Sequence, residues 1–186
     1  MPKKPFLAGR QEFAAVYGVP GTLITQWLGR GILNYDRAVI ISGSAYWLMS
    51  FVRDFEKVAP RRKEMDRRVL QQFVAEQEPG VWTESVDEVP PLLGLQETTQ
   101  LFGLSSQQSM SSAVRKGGFV APDYSLSGSP IWTLDTLINV GAPMMQAKAR
   151  TVPWAVNPQV EAAFRQGRYT GPGSVIVPRG LAAKRP

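Results

Sequence analysis

Gln26 and Arg30 stand four residues apart, and Gln108 and Arg115 seven apart, so each pair falls on one face of a helix. A glutamine amide and a guanidinium are the side chains best suited to paired hydrogen bonds with a planar partner. Around the first pair lie Thr22 and Thr25; around the second lie Gln107, Ser111, Ser112 and Lys116. The apolar residues between them, Ile24, Trp27 and Leu28 and then Met110, Ala113 and Val114, fall on the opposite side. Such faces recognise; they do not make or break bonds.

The rest of the composition points the same way. The 186 residues contain no Cys and no His, which removes thiolate nucleophiles, disulfides, the usual zinc ligands and the imidazole base. Most of the acidic side chains lie between Asp54 and Glu88 without the spacing of a catalytic pair. The expectation is a chain that is not an enzyme and needs no cofactor or metal. No run of apolar residues is long enough to span a membrane, and Met1-Pro-Lys-Lys-Pro5 leads into no apolar segment, so a cytoplasmic location is expected. The net charge is +6. It resides wholly in residues 148–186, where Lys148, Arg150, Arg165, Arg168, Arg179, Lys184 and Arg185 face only Glu161. A basic segment of this kind attracts phosphate.

The elements that position these faces come twice. Leu7-Ala-Gly-Arg-Gln-Glu-Phe-Ala-Ala-Val-Tyr-Gly-Val19 aligns with Leu92-Leu-Gly-Leu-Gln-Glu-Thr-Thr-Gln-Leu-Phe-Gly-Leu104 at an offset of 85. Ser42-Gly-Ser-Ala-Tyr-Trp47 aligns with Ser127-Gly-Ser-Pro-Ile-Trp132 at the same offset, while the segment between shifts by one residue. Each copy predicts a short helix (12–17 and 97–102) stopped by Gly18 or Gly103. A second helix follows at once, with Pro20 or Gly21 in the turn of copy one and a Ser105-x-x-Gln108 capping box in copy two. Then comes a hairpin with Ser-Gly-Ser at its tip, a tryptophan that packs back (Trp47, Trp132), and a third helix (48–55 and 134–140).

Leu95-Gln-Glu-Thr-Thr-Gln-Leu-Phe-Gly-Leu-Ser-Ser, Arg115-Lys-Gly-Gly-Phe119, Pro122 and Gly128-Ser-Pro-Ile-Trp132 with Asp135 carry a resemblance. So do Glu12-Phe-Ala-Ala-Val-Tyr-Gly-Val-Pro, Gln26-Trp-Leu-Gly-Arg-Gly-Ile-Leu33 and Ser42-Gly-Ser-Ala-Tyr-Trp47 in copy one. On these residues the sequence resembles the MerR-like, excisionase-like winged helix-turn-helix modules of bacterial and phage DNA-binding proteins. The resemblance implies a mainly α fold with small β-wings, in two tandem units joined by an amphipathic helix and followed by a flexible basic C-terminal tail. The expected boundaries are 1–56, a helical linker and acidic loop at 57–90, 91–147, and 148–186. The long dimerisation helix and effector domain of full MerR regulators have no counterpart here.

In such modules the second helix enters the major groove, where every base pair shows a distinct donor and acceptor pattern. The expected DNA contacts are Thr22, Thr25, Gln26 and Arg30 in copy one, and Gln107, Gln108, Ser111, Ser112, Arg115 and Lys116 in copy two. Ser42 and Ser44, and Ser127 and Ser129, offer wing hydroxyls and N–H groups for phosphate, with Arg37 beside the first wing as a charged partner. Residues 1–52 hold five basic side chains against Glu12 and Asp36, whereas 91–147 hold Arg115 and Lys116 against Glu97, Asp123 and Asp135. Copy one should therefore carry more of the affinity.

Between the copies, Met65, Val69, Leu70, Phe73 and Val74 predict an amphipathic helix over 61–77. Beyond 141, Asn157 should cap a short helix reaching Phe164, and 167–186 read as flexible. The expected function is sequence-specific binding of double-stranded DNA at an asymmetric, bipartite site, as a transcriptional regulator or phage-type repressor in a bacterial or phage-infected cell. Two other roles fit the same residues: an excisionase-like, partition or replication factor that bends DNA, and an adaptor that has lost DNA binding and meets a protein through the second unit or the linker helix.

Overall fold

A computed structural model describes residues 4–148 and 154–176. The chain is mixed α/β, short helices with two small antiparallel sheets. Its element order repeats. Copy one runs β1 (Leu7–Ala8), α1 (Arg10–Val16), α2 (Gly21–Gly29), β2 (Ala38–Ile41), β3 (Ser44–Leu48) and α3 (Met49–Asp54). After α4 (Arg67–Glu76) comes copy two: β4 (Leu92–Leu93), α5 (Leu95–Leu101), α6 (Gln107–Arg115), β5 (Tyr124–Leu126), β6 (Ser129–Thr133) and α7 (Leu134–Thr136). A π-helical turn at Leu137–Gly141 leads from α7 into α8 (Ala142–Lys148), and α9 is Pro158–Arg165.

The sheets have the same strand order, β1-β3-β2 and β4-β6-β5. Leu7 pairs with Leu48 and Ala8 with Trp47, so each repeat begins with a two-residue strand laid on its own hairpin. In the second hairpin Tyr124 pairs with Ile131 and Leu126 with Ser129. Both hairpin loops have two residues, and both residues have positive φ: 48° and 73° at Ser42–Gly43, 48° and 74° at Ser127–Gly128. That form matches the right-handed twist of the strands, and it normally selects Asn, Asp or Gly at the first position. Serine stands there twice.

The chain forms two compact units whose bounds cross the repeats. One holds residues up to Val39, Ala45–Leu92 and Pro122–Thr133; the other holds Ile40–Ser44, Leu93–Ala121 and the described residues from Leu134 onward. The tip of the first hairpin therefore belongs with the helices of copy two, and the second hairpin with the helices of copy one.

The first unit has an aromatic core. Phe13 meets Trp47 edge-on at 5.5 Å and Phe55 at 5.3 Å, and Tyr17 donates its hydroxyl to the Val52 carbonyl at 2.7 Å. Trp47, fully buried, donates Nε1–H to the Asn34 carbonyl at 2.9 Å. The expected linker helix is part of this core, through Leu70 and Val74. It is shorter than its apolar period suggests. Asp66 accepts the N–H groups of Arg68 and Val69, and Arg61 and Arg62 have φ of 56° and 51°, which a helix cannot include. Gln77, also buried, joins both polar groups of its side chain to the backbone of Leu7 at 2.8 Å.

In the second unit Phe102 meets Trp154 at 5.5 Å, beside buried Leu93, Met110, Phe119, Leu137 and Met145. The π turn brings Gly141 against Phe119 and Val120, where a Cβ would come within 3.2 Å of Val120. Asn157 caps α9 as expected, accepting from Gln159 and Val160. The segment 167–176 is not loose: Tyr169 stacks on Phe164 at 4.1 Å, and Gly173 accepts the N–H of Gly43 at 2.9 Å. Arg150, Arg179, Lys184 and Arg185, counted above in the basic tail, lie outside the described residues. Among the described residues no helix is long and apolar enough to cross a membrane, and no acidic cluster could hold a metal ion.

Candidate nucleic-acid interface

Helix α1 ends because Gly18 takes φ 56°, and its N–H still reaches the Ala15 carbonyl at 3.1 Å. Pro20 follows in extended conformation as the N-cap, where its missing N–H costs nothing, and α2 starts at Gly21. Ile24 and Trp27 turn into the core, and this leaves Thr22, Thr25, Gln26 and Arg30 exposed on the other side. Arg30 occupies the C-cap, with its own N–H on the Gln26 carbonyl at 3.0 Å and Gly31 at φ 69° turning the chain away. The guanidinium of Arg10, at the start of α1, donates to Thr25 Oγ1 at 3.3 Å. The structure thus adds Arg10 to this face. Only its charge was legible in the sequence, because the contact joins two helices.

Helix α6 repeats the arrangement, with Arg115 and Lys116 as its charges. Gly103, at φ 57°, ends α5. The cap of α6 is Ser106 rather than Ser105, and its side chain makes no capping hydrogen bond; Ser106 Oγ lies 3.3 Å from Ser109 Oγ instead. The expected capping box is therefore absent. Met110 is buried, while Gln107, Gln108, Arg115 and Lys116 are exposed. Ser111 and Ser112 are half-buried, so the outer face narrows to the two ends of the helix. The position matching Arg10 is Leu95.

The hairpin tips do not offer the free groups that were expected of them. In the first unit Glu12 accepts both the N–H and the hydroxyl of Ser127, each at 2.7 Å, and Ser127 Oγ accepts the N–H of Gln11 at 3.0 Å. In the second unit Glu97 accepts both groups of Ser42 at 2.6 Å, and Ser42 Oγ accepts the N–H of Gln96 at 3.1 Å. Each serine is thereby consumed, and each tip carries a carboxylate that repels phosphate. Glycine is required beside both: a Cβ on Gly9 would collide with Ser127 Oγ, and one on Gly94 with Ser42 Oγ. Ser44 and Ser129 are half-buried in the strands. Arg37 is half-exposed and pairs with Glu84 at 3.4 Å, a carboxylate shared with Arg53 at 3.3 Å. Arg53 in turn holds Asp54 below the usual carboxylate range by hydrogen bonding to it.

Glu12 and Glu97 are the residues that a reading of the sequence does not reveal. They were legible as a repeated Gln-Glu pair, but nothing local marks them as acceptors for serines far along the chain. The chain matches no protein-family model, no curated protein and no solved structure.

Proposed function

We propose that this protein binds double-stranded DNA in a sequence-specific manner, with α2 as the stronger reader and α6 as the weaker, and acts as a transcriptional regulator or phage-type repressor. The observation that carries this reading is the outer face of α2. Thr22, Thr25, Gln26 and Arg30 are exposed on one strip, backed by Arg10, while Ile24 and Trp27 anchor the opposite strip in an aromatic core. A rigidly backed helix with amide and guanidinium groups suits major-groove readout, where Gln pairs with adenine and Arg with guanine or phosphate. The repeated order of helix, glycine turn, helix and hairpin supports two units of the winged helix-turn-helix kind, of MerR-like or excisionase-like type. The wings differ from the usual use, because their tips cap helices. DNA contact is accordingly assigned to the helices and to Arg10, with Ser42 and Ser127 left out.

The difference in net charge between the two copies, residues 1–52 and 91–147, supports an asymmetric site. Two tethered readers of unequal strength raise each other's local concentration to about the millimolar range, so weak halves act together. The deciding experiment is selection of bound duplexes from a random pool by the whole protein, by Arg30→Ala and by Arg115→Ala. One asymmetric motif that loses a different block in each variant supports the reading. No enrichment, or enrichment unchanged by either variant, overturns it.

A further inference from the structure

In the second unit the hairpin tip is covered by a glycine-bearing turn of the same chain, and the contacts are specific. Gly43 N–H donates to the Gly173 carbonyl at 2.9 Å, and the Val175 carbonyl lies 3.6 Å from where a Cβ on Gly43 would stand. Gly173 takes φ +89°, and a Cβ on it would collide with Glu97 Oε1 and approach Ser42 Cα to 3.0 Å. Only glycine fits that position. The turn is held in shape by its own bonds: Tyr169 donates to the Pro172 carbonyl at 3.0 Å, and Ser174 Oγ to the Gly171 carbonyl at 2.7 Å.

The first unit contains the same receiving surface without the cover. Ser127 and Gly128 have φ of 48° and 74°, against 48° and 73° at Ser42 and Gly43, and the carboxylate–serine distances agree within 0.1 Å, 2.7 Å against 2.6 Å. Yet Gly128 is exposed where Gly43 is half-buried, and among the described residues nothing lies within 4 Å of its Cβ position. Among the described residues none accepts a hydrogen bond from Gly128 N–H. Glu12 is 9% exposed and Glu97 2%, as an uncovered and a covered copy should be. The repeat presents this surface twice, and residues 171–175 cover one copy.

We propose that the Ser127–Gly128 tip of the first unit is a docking site for a glycine-bearing turn of another polypeptide, of the Gly-x-Gly-Ser kind that residues 171–174 form. The Gly128 N–H donates to the carbonyl of the incoming second glycine. Glu12 lies against the Cα of that glycine and excludes any side chain there. The carboxylate also excludes phosphate and acidic ligands, so the ligand is a neutral or basic peptide and the site is separate from the face proposed for DNA.

The probe is an N-acetylated, C-amidated peptide with the sequence of residues 168–175, titrated into full-length protein carrying 15N-glycine and followed by amide spectra. The expected result is a saturable shift of the Gly128 amide, absent with a peptide in which the glycine matching Gly173 is replaced by alanine. A shift at Gly128 accompanied by one at Gly43 also supports the proposal, since the peptide then competes at the covered receptor as well. No shift at Gly128, a shift confined to Gly43, or equal shifts from the alanine peptide overturn it. The outcome does not depend on DNA binding, so failure of one reading leaves the other standing.

Discussion

Glu12 receives both the backbone N–H and the hydroxyl of Ser127, although 115 residues separate them in the chain. Glu97 does the same for Ser42 across 55 residues. Serine in the left-handed region costs about 1–2 kcal/mol, and two hydrogen bonds to a buried charge offset that cost.

The first prediction concerns this pair of contacts. Glu97→Ala leaves the Ser42 N–H without its acceptor and should cost about 1–3 kcal/mol. Ser42→Ala should cost less, because it removes a donor together with part of its demand. In urea denaturation of both single variants and the double variant, the losses should be strongly non-additive. Simple additivity would show that the hydroxyl–carboxylate bond contributes nothing, since the Ser42 N–H bond to Glu97 survives in Ser42→Ala.

Glycines divide into two kinds, and alanine should separate them. Gly103, at φ 57°, should lose roughly 1–2 kcal/mol on replacement. Gly29 lies within α2 with no described residue near its Cβ position, so Gly29→Ala should raise stability by about 0.4–1 kcal/mol. Thermal unfolding of the two variants checks both signs at once.

On DNA, Arg30→Ala should weaken binding of the selected site more than Arg115→Ala does, because α2 is backed by Arg10 and α6 by Leu95 at the same position. Arg10→Ala should lower affinity evenly across sequences and reduce the slope of log K against log salt by about 1. Ser127→Ala, compared where it remains folded, should leave DNA affinity within a factor of about two, a change of roughly 0.4 kcal/mol. A tenfold loss there would return the wing tips to the interface.

Alkaline titration tests the covering turn of the second unit. Tyr169 is pushed up to about 12, first by burial and then by the negative charge of Glu97. The unfolded chain loses that proton near pH 10 while the folded chain keeps it, so the effect on stability is absent below pH 10 and unfavourable from there to about 12. Absorbance at about 295 nm, the tyrosinate band, should show an ionisation near 12 that Tyr169→Phe removes. Tyr17 and Tyr124 are raised as well, both chiefly by burial, and persist in the variant.

Much of the local structure was legible because it is local. The inward side of α2 follows from the spacing of Ile24 and Trp27, and the helix ends from Gly18 and Gly103. What was misread was also local in form but settled at a distance. Ser105 has the spacing of a cap, yet the helix starts one residue later. Met65 continues the apolar period of α4, yet Asp66 starts the helix and two arginines turn the chain before it. The two-residue strands β1 and β4 are too short to show alternation and exist only because β3 and β6 lie beside them.

Local sequence sets the two copies of one motif, the places where their helices break, and the polar sides of α2 and α6. Neighbouring residues decide those features through backbone sterics and helical period. Tertiary structure alone decided which hairpin serves which helix. Both copies carry the same Gln-Glu pair and the same Ser-Gly tip, so each glutamate meets identical chemistry in either serine. Only closure of the chain around two packed cores distinguishes them, and it sends Ser127 to Glu12 and Ser42 to Glu97.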